Sequence, residues 1–173
     1  MALTIDATVG GSAANSFVTV AEMTAYCEGR LNASVWVASA TQEPALVEAA
    51  RELSALEWQG ITVTDTQALT WPRQYVLNVD SALGLYYATS VIPKRVKDAA
   101  CELALQFLKA GTTDVASAPT TDGILEKTVD VLTTKYADSR AQKAGLQRYP
   151  SVWRTIKPLL ASPTNHTFSI VRG

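Results

Sequence analysis

The sequence predicts a mainly α protein, a small bundle of about four to five helices with a minor β-strand or hairpin element and extended arms at both ends. Three observations support this prediction. Apolar residues recur at helical spacing in several segments, one short stretch alternates apolar and polar residues as a strand does, and both ends of the chain lack helical periodicity. Hydrophobic residues make up 47% of the 173 residues, enough to bury one core. We therefore expect a single domain over residues 1–173, with its helical core at 18–161.

The N-terminal segment is predicted to be an arm that leads into a capped helix. Residues 1–17 are mostly small and polar and include Gly10-Gly11-Ser12, which favours an extended or mobile arm. Thr19 and Glu22 have the spacing of a capping box, in which each side chain binds the other residue's amide. The helix is expected to run from about Val20 to Leu31.

Two further helical segments are predicted before residue 61. Residues 33–40 are compatible with a short helical turn that carries Trp36. Thr41 is the next predicted N-cap, and an amphipathic helix follows it. Gly60 is expected to end that helix, because glycine adopts a left-handed cap at little cost.

The clearest helix begins after an irregular stretch at residues 61–92. In that stretch Pro72 biases Trp71 towards extended geometry, and residues 83–87 are compatible with a short strand or a loop on the core. Ile92-Pro93 then opens a helix whose terminator is Gly111. Its predicted buried stripe consists of Val96, Ala99, Ala100, Leu103, Phe107 and Leu108.

The C-terminal part is predicted to contain the β element and one more helix. Residues 124–136 alternate in the manner of one strand, or of two with a tight turn. A short helix over Ser151–Ala161 must kink or end at Pro158. Residues 162–173 are expected to form the extended C-terminal arm.

The residues needed for catalysis are sparse, so no enzymatic activity and no cofactor are predicted. The only histidine, His166, lies in the C-terminal arm, where nothing in the sequence would orient it. With Cys27 and Cys101 far apart, no zinc pattern can be assembled. Both cysteines are predicted to be buried structural thiols, and a disulfide or a reactive thiol is the alternative. No phosphate-binding glycine loop is present either.

Charge is divided unevenly along the chain. Residues 1–93 carry three basic and nine acidic residues, whereas residues 94–173 carry twelve and seven. These charges can simply mix in the folded domain. The alternative is a subunit with one acidic and one basic face, which would suit head-to-tail contact between copies.

A nucleic-acid contact is the second reading of the charge pattern. Lys94, Arg95 and Lys97 cluster at a predicted helix start, where the helix dipole disfavours cations, so DNA phosphate or an acidic protein surface could be their partner. Trp71 beside Arg73 supplies an aromatic and a cation, as single-strand binders require. The competing explanations are a solvated helix face and a tryptophan that belongs to the core.

Three stretches together resemble a known family. They are Ala14–Glu22, Ala68–Arg73 and Ile92–Ala104. Their order and spacing resemble a phage family labelled DnaT-like single-stranded-DNA-binding protein, which looks akin to the head–tail connector (adaptor) proteins of tailed phages. The resemblance implies that the chain is a structural subunit of an adaptor ring. That ring would be a dodecamer that joins the portal to the tail.

The partners implied by this resemblance are the portal protein, a tail or nozzle protein, further copies of the chain, and genomic DNA that passes through the ring without sequence recognition. The C-terminal arm would bind the portal through Phe168, Ile170, Val171 and Arg172, unless it is simply a frayed end. The alternative function is a phage single-stranded-DNA-binding replication protein that uses Lys94, Arg95 and Lys97. Residues 1–6 do not resemble a secretory signal, and no apolar run reaches the roughly 20 residues of a membrane span. The expected location is the virion's head–tail junction, after synthesis in the host cytoplasm.

Overall fold

The computed structural model describes residues 3–31, 33–111, 126–129, 132–135 and 145–161. Within them the chain is mainly helical, which confirms the predicted fold class. The helices are α1 (Val20–Glu28), α2 (Ser34–Ala38), α3 (Gln42–Ser54), α4 (Lys94–Ala110) and α5 (Pro150–Ile156), and 3-10 turns cover Gly145–Arg148 and Lys157–Leu159. The strands are β1 (Ile61–Thr62), β2 (Arg73–Gln74), β3 (Glu126–Val129) and β4 (Leu132–Lys135).

The strands form two small antiparallel pairs. β3 and β4 pair from Glu126 opposite Lys135 to Val129 opposite Leu132, so the alternation near 124–136 corresponds to two strands. The β1–β2 pair was not predicted, since its strands are too short to show any periodicity. It joins Ile61 to Gln74 and Thr62 to Arg73.

Helix α4 is the centre of the bundle and packs on α1, α2, α3 and α5. Its predicted stripe is buried, apart from the partly exposed Leu108. Gly111 follows the helix with φ +66°, the left-handed terminator that the sequence predicts. The helix starts one residue later than expected, because Pro93 keeps an extended conformation and is the N-cap.

Helix α1 begins at the predicted capping box. The Glu22 amide donates to Thr19 Oγ1 at 3.1 Å, and the Thr19 amide donates to Glu22 Oε2 at 2.8 Å. The helix stops at Glu28 and not near Leu31, because Gly29 has poor helix propensity.

Helix α3 is shorter than predicted and ends at Ser54. The chain then turns so that Trp58 enters the core, where its indole N–H donates to the Leu53 carbonyl at 2.8 Å. Gly60 does have a left-handed backbone, with φ +68°. It does not end a helix, however, and it lies where the backbone passes close to β2.

A buried carboxylate ties α1 to α4. Glu102 is 7% exposed and accepts hydrogen bonds from the Tyr26 hydroxyl, at 3.0 Å, and from Arg30. These donors satisfy a charge that would otherwise be costly to bury. Burial, together with the nearby Glu102 charge, raises the pKa of Tyr26.

The N-terminal segment has no helix or strand over its described residues, 3–17, and it is held against the core. Phe17 is fully buried and Ser16 is 1% exposed. The Gly11 carbonyl accepts the Ala68 amide at 3.0 Å. The predicted C-terminal arm, residues 162–173, lies outside the described residues.

Candidate nucleic-acid interface

The three basic residues at the start of α4 are all ion-paired within the molecule. They come from one helix, but two of their three partners come from elsewhere in the chain. The pairs are Lys94 with Asp98, Arg95 with Asp80 and Lys97 with Glu22, at N···O distances of 2.6, 2.5 and 2.6 Å.

These pairs leave the cluster with little net charge. The hydrogen bond from Arg95 holds the pKa of the Asp80 carboxyl below its usual value. Burial raises the pKa of Glu22, but the hydrogen bonds from Lys97 and Thr19 outweigh it and the net shift is downward. Both carboxylates are therefore ionised at neutral pH. A DNA phosphate would have to displace a carboxylate here, so it would gain less than at an unpaired cation.

Trp71 is part of the core and does not offer a face for stacking. It is 1% exposed. Its ring meets Trp58 and Tyr87 edge to face, with centroids 5.5 and 6.4 Å apart. This placement favours the core explanation of the Trp71-Pro72-Arg73 motif.

Arg73 is likewise engaged in structure. Its guanidinium donates to the carbonyls of Gln59 and Gly60, each at 2.7 Å, and burial lowers its pKa. The aromatic and the cation that the sequence places side by side thus stabilise the loop around β1 and β2.

A different surface, on α5, combines an accessible aromatic with cations. The α5 surface consists of Gln147, Pro150, Trp153, Arg154 and Lys157. All are exposed except Trp153, which is partly exposed. The first four line a concavity of about 380 Å³. Residues 145–161 include three basic residues and no acidic one.

The cations of the α5 surface are open to an external anion. Arg154 Nε donates to the Pro150 carbonyl at 3.1 Å, which fixes the side chain and leaves its terminal N–H groups available. Within the part of the chain that the structure describes, no carboxylate pairs with Arg154 or Lys157. In this respect they differ from the cations of α4.

The packing of α5 explains why this surface faces outward. Val152 and Ile156 are fully buried against α4, so the helical repeat carries Trp153 and Arg154 away from the core. Tyr149 meets Phe107 edge to face at 6.4 Å before the helix. After it, a β-bridge joins Leu160 to Trp58, so both ends are fixed.

One family model matches the entire chain. Its description is "Putative DnaT-like ssDNA binding protein", and it covers residues 1–173. The chain belongs to this family. Searches of curated proteins and of solved structures each found no match.

Membership of the DnaT-like family corrects the predicted adaptor role. The family description points to DNA binding, so the interpretation as a head–tail adaptor that binds portal and tail proteins is wrong. The adaptor role rested on the supposed kinship of the DnaT-like family with connector proteins, and neither the sparse active site nor the charge split distinguishes a ring subunit from a DNA-binding protein. The portal-binding residues that it suggested, Phe168, Ile170, Val171 and Arg172, lie outside the described residues, as does His166.

The α5 surface of this DnaT-like chain was not predicted from its sequence. Two signals could have revealed it. Residues 145–161 have a one-sided charge, and Trp153 falls off the stripe set by Val152 and Ile156.

Other kinds of site find little support in the described ranges. These residues contain no group of three or more His, Cys, Asp or Glu side chains that could hold a metal ion. Nor does any helix among them have the length and apolar character that a membrane crossing requires.

Both cysteines are free and buried, which confirms the expectation of structural thiols. Burial raises the pKa of Cys27, and it raises the pKa of Cys101 to about 12. Since the thiolate is the reactive form, we expect both thiols of the native protein to react slowly with a disulfide reagent at pH 8. In denaturant both should react at once. Rapid labelling of the native protein would contradict this packing.

Proposed function

We propose that this protein binds single-stranded DNA through the α5 surface. Family membership supports DNA as the ligand. The observation that carries the choice of surface is the partly exposed Trp153 beside Arg154 and Lys157, two cations that no described carboxylate neutralises.

The α5 surface offers the two interactions on which single-strand binders depend. An unpaired base can stack on the accessible part of Trp153, a contact worth about 1–3 kcal/mol that tolerates any base. Arg154 and Lys157 can contact the phosphates on either side of that base. Gln147, at the edge of the concavity, can donate to or accept from the sugar or the base.

These contacts favour a single strand over a duplex. In a duplex the bases are already stacked and paired, so Trp153 could reach one only at the cost of a few kcal/mol. In a complex with duplex DNA, only the phosphate contacts would remain. We therefore expect binding with little base preference and a clear preference for unpaired strands.

The test is fluorescence anisotropy of a labelled oligo-dT strand titrated with the purified protein over a series of salt concentrations. Arg154 and Lys157 would each neutralise one phosphate, so the slope of log K against log salt should be about −1.4 or steeper. A duplex of equal length should bind more weakly. Binding no stronger than that of an unrelated protein of similar net charge would refute the proposal.

The proposed role is binding without catalysis. The chain has a single histidine, the side chain that most often acts as a general base, and both of its thiols are buried. A part in replication, predicted above as the alternative function, stays a prediction.

A further inference from the structure

A hairpin-like loop projects from the end of β2. The 75–91 hairpin is held by a β-bridge between Leu77 and Tyr86. Its backbone hydrogen bonds run from Asn78 to Leu85, at 2.7 Å, and from Tyr87 to Val76, at 3.0 Å. The ion pair between Arg95 and Asp80 fastens it to the start of α4. The hairpin is thus an ordered element of the fold.

The 75–91 hairpin is rich in exposed apolar side chains. Single exposed apolar residues are common, but several in one short ordered segment make it a candidate interaction site. The two tyrosines, Tyr75 and Tyr86, are 68% and 63% exposed. The exposed aliphatic residues of the hairpin are Leu77, Val79, Leu83, Leu85 and Val91.

Tyr75 has a backbone conformation that few aromatic residues adopt. Its φ is +62°, and it is the one non-glycine residue with positive φ in the described ranges. A bulky side chain in the left-handed region is strained, and glycine would fit there without that cost. A tyrosine at this position, with its ring held in solvent, indicates that the ring has a use that offsets the strain.

The hairpin is connected to the α5 surface through neighbouring backbone segments. The segment after α5, residues 159–161, lies along residues 57–59. Leu160 bridges to Trp58, and the Gln59 amide donates to the Leu159 carbonyl at 3.0 Å. Next along the chain, β1 pairs with β2, and Tyr75 directly follows β2. One segment, residues 57–62, therefore lies between the end of α5 and the strand that Tyr75 follows, and neighbouring strands are only about 4.8 Å apart.

We propose that Tyr75 and Tyr86 form a second base-stacking site for the same single strand. The inference rests on the proposed function and adds a place for bases beyond the one at Trp153. Aromatic faces suit bases, because every base has a face that can stack whatever its sequence. Asp80 is the only acidic residue of the hairpin, and Arg95 neutralises it, so the hairpin does not repel a polyanion.

The decisive variant is Tyr75→Gly, because it should weaken binding without lowering the stability of the fold. Glycine relieves the positive φ, so the melting temperature should hold or rise. Loss of one stacked base should weaken binding to oligo-dT about tenfold. The slope of log K against log salt should not change, since no phosphate contact is lost. Tyr86→Ala should weaken binding similarly, whereas Tyr75→Phe should keep wild-type affinity.

Leu83→Ala is the matched control, because Leu83 is 82% exposed in the same hairpin but has no aromatic face. It should bind oligo-dT as the wild type does. The inference is overturned if Tyr75→Gly and Tyr86→Ala bind oligo-dT as tightly as a wild-type protein that does bind it. It is also overturned if Leu83→Ala weakens binding as much as the two tyrosine variants do. A wild-type protein that binds no single strand overturns the inference together with the proposed function.

Discussion

Replacing Arg154 and Lys157 together by alanine is expected to weaken binding to oligo-dT roughly 25-fold near 0.1 M salt. Each neutralised phosphate of a single strand contributes about 0.7 to the slope of log K against log salt. Two such contacts therefore strengthen binding by about 1.4 log units between 1 M and 0.1 M salt, and the double variant loses that gain. Both side chains are exposed, and the variant should therefore fold normally. Anisotropy titrations at several salt concentrations would give the affinity and the slope together.

The matched control is the double variant Lys94→Ala with Lys97→Ala, which removes an equal amount of positive charge from α4. Both lysines are paired with carboxylates in the molecule, so we expect a smaller loss of affinity and a smaller change in slope. An equal loss in the two double variants would show that overall charge decides the affinity. A larger loss in the control would place the DNA contact at the start of α4 and contradict the α5 surface.

Replacing Gly60 by alanine is expected to lower the free energy of unfolding by about 3 kcal/mol, which combines left-handed strain with overpacking. Gly60 has φ +68°, and a Cβ there would lie 2.1 Å from the Gln74 carbonyl oxygen and 2.9 Å from Val76 Cγ2. The first obstacle is backbone, so relief requires β2 to move. For a chain of this size the melting temperature should fall by roughly 6–12 °C.

Gly84→Ala is the control for Gly60→Ala. Gly84 has a similar φ of +63°, but no atom lies within 4 Å of the added Cβ. This variant should show the left-handed strain alone, which lowers the free energy of unfolding by about 1 kcal/mol. Thermal denaturation of both variants measures the difference. Equal losses would show that the approach of Gly60 to β2 is not as close as described.

The parts of the fold that could be predicted are those with local causes. The capping box of Thr19 and Glu22 and the left-handed terminator at Gly111 each depend on neighbouring residues, so the sequence displays them. The β1–β2 pair and the inward turn of Trp58 depend on contacts between distant segments. Patterns within a single segment do not report such contacts.

The candidate site divides in the same way. Lys94, Arg95 and Lys97 stood out in the sequence, but the pairing of Lys97 with Glu22 joins two helices and becomes visible only in the fold. The burial of Trp71 is similarly a matter of tertiary packing. Trp153 and Arg154, in contrast, could have been found from charge and helical spacing alone.

The most direct test of single-strand binding at the α5 surface is tryptophan fluorescence during titration with oligo-dT. The chain has four tryptophans. Three of them, Trp36, Trp58 and Trp71, are at most 5% exposed, whereas Trp153 is partly exposed. Stacking of a base on Trp153 should quench part of the wild-type emission, and Trp153→Phe should abolish that quenching while leaving the fold intact. Equal quenching in the wild type and in Trp153→Phe, or none in the wild type at saturating strand, would contradict the account.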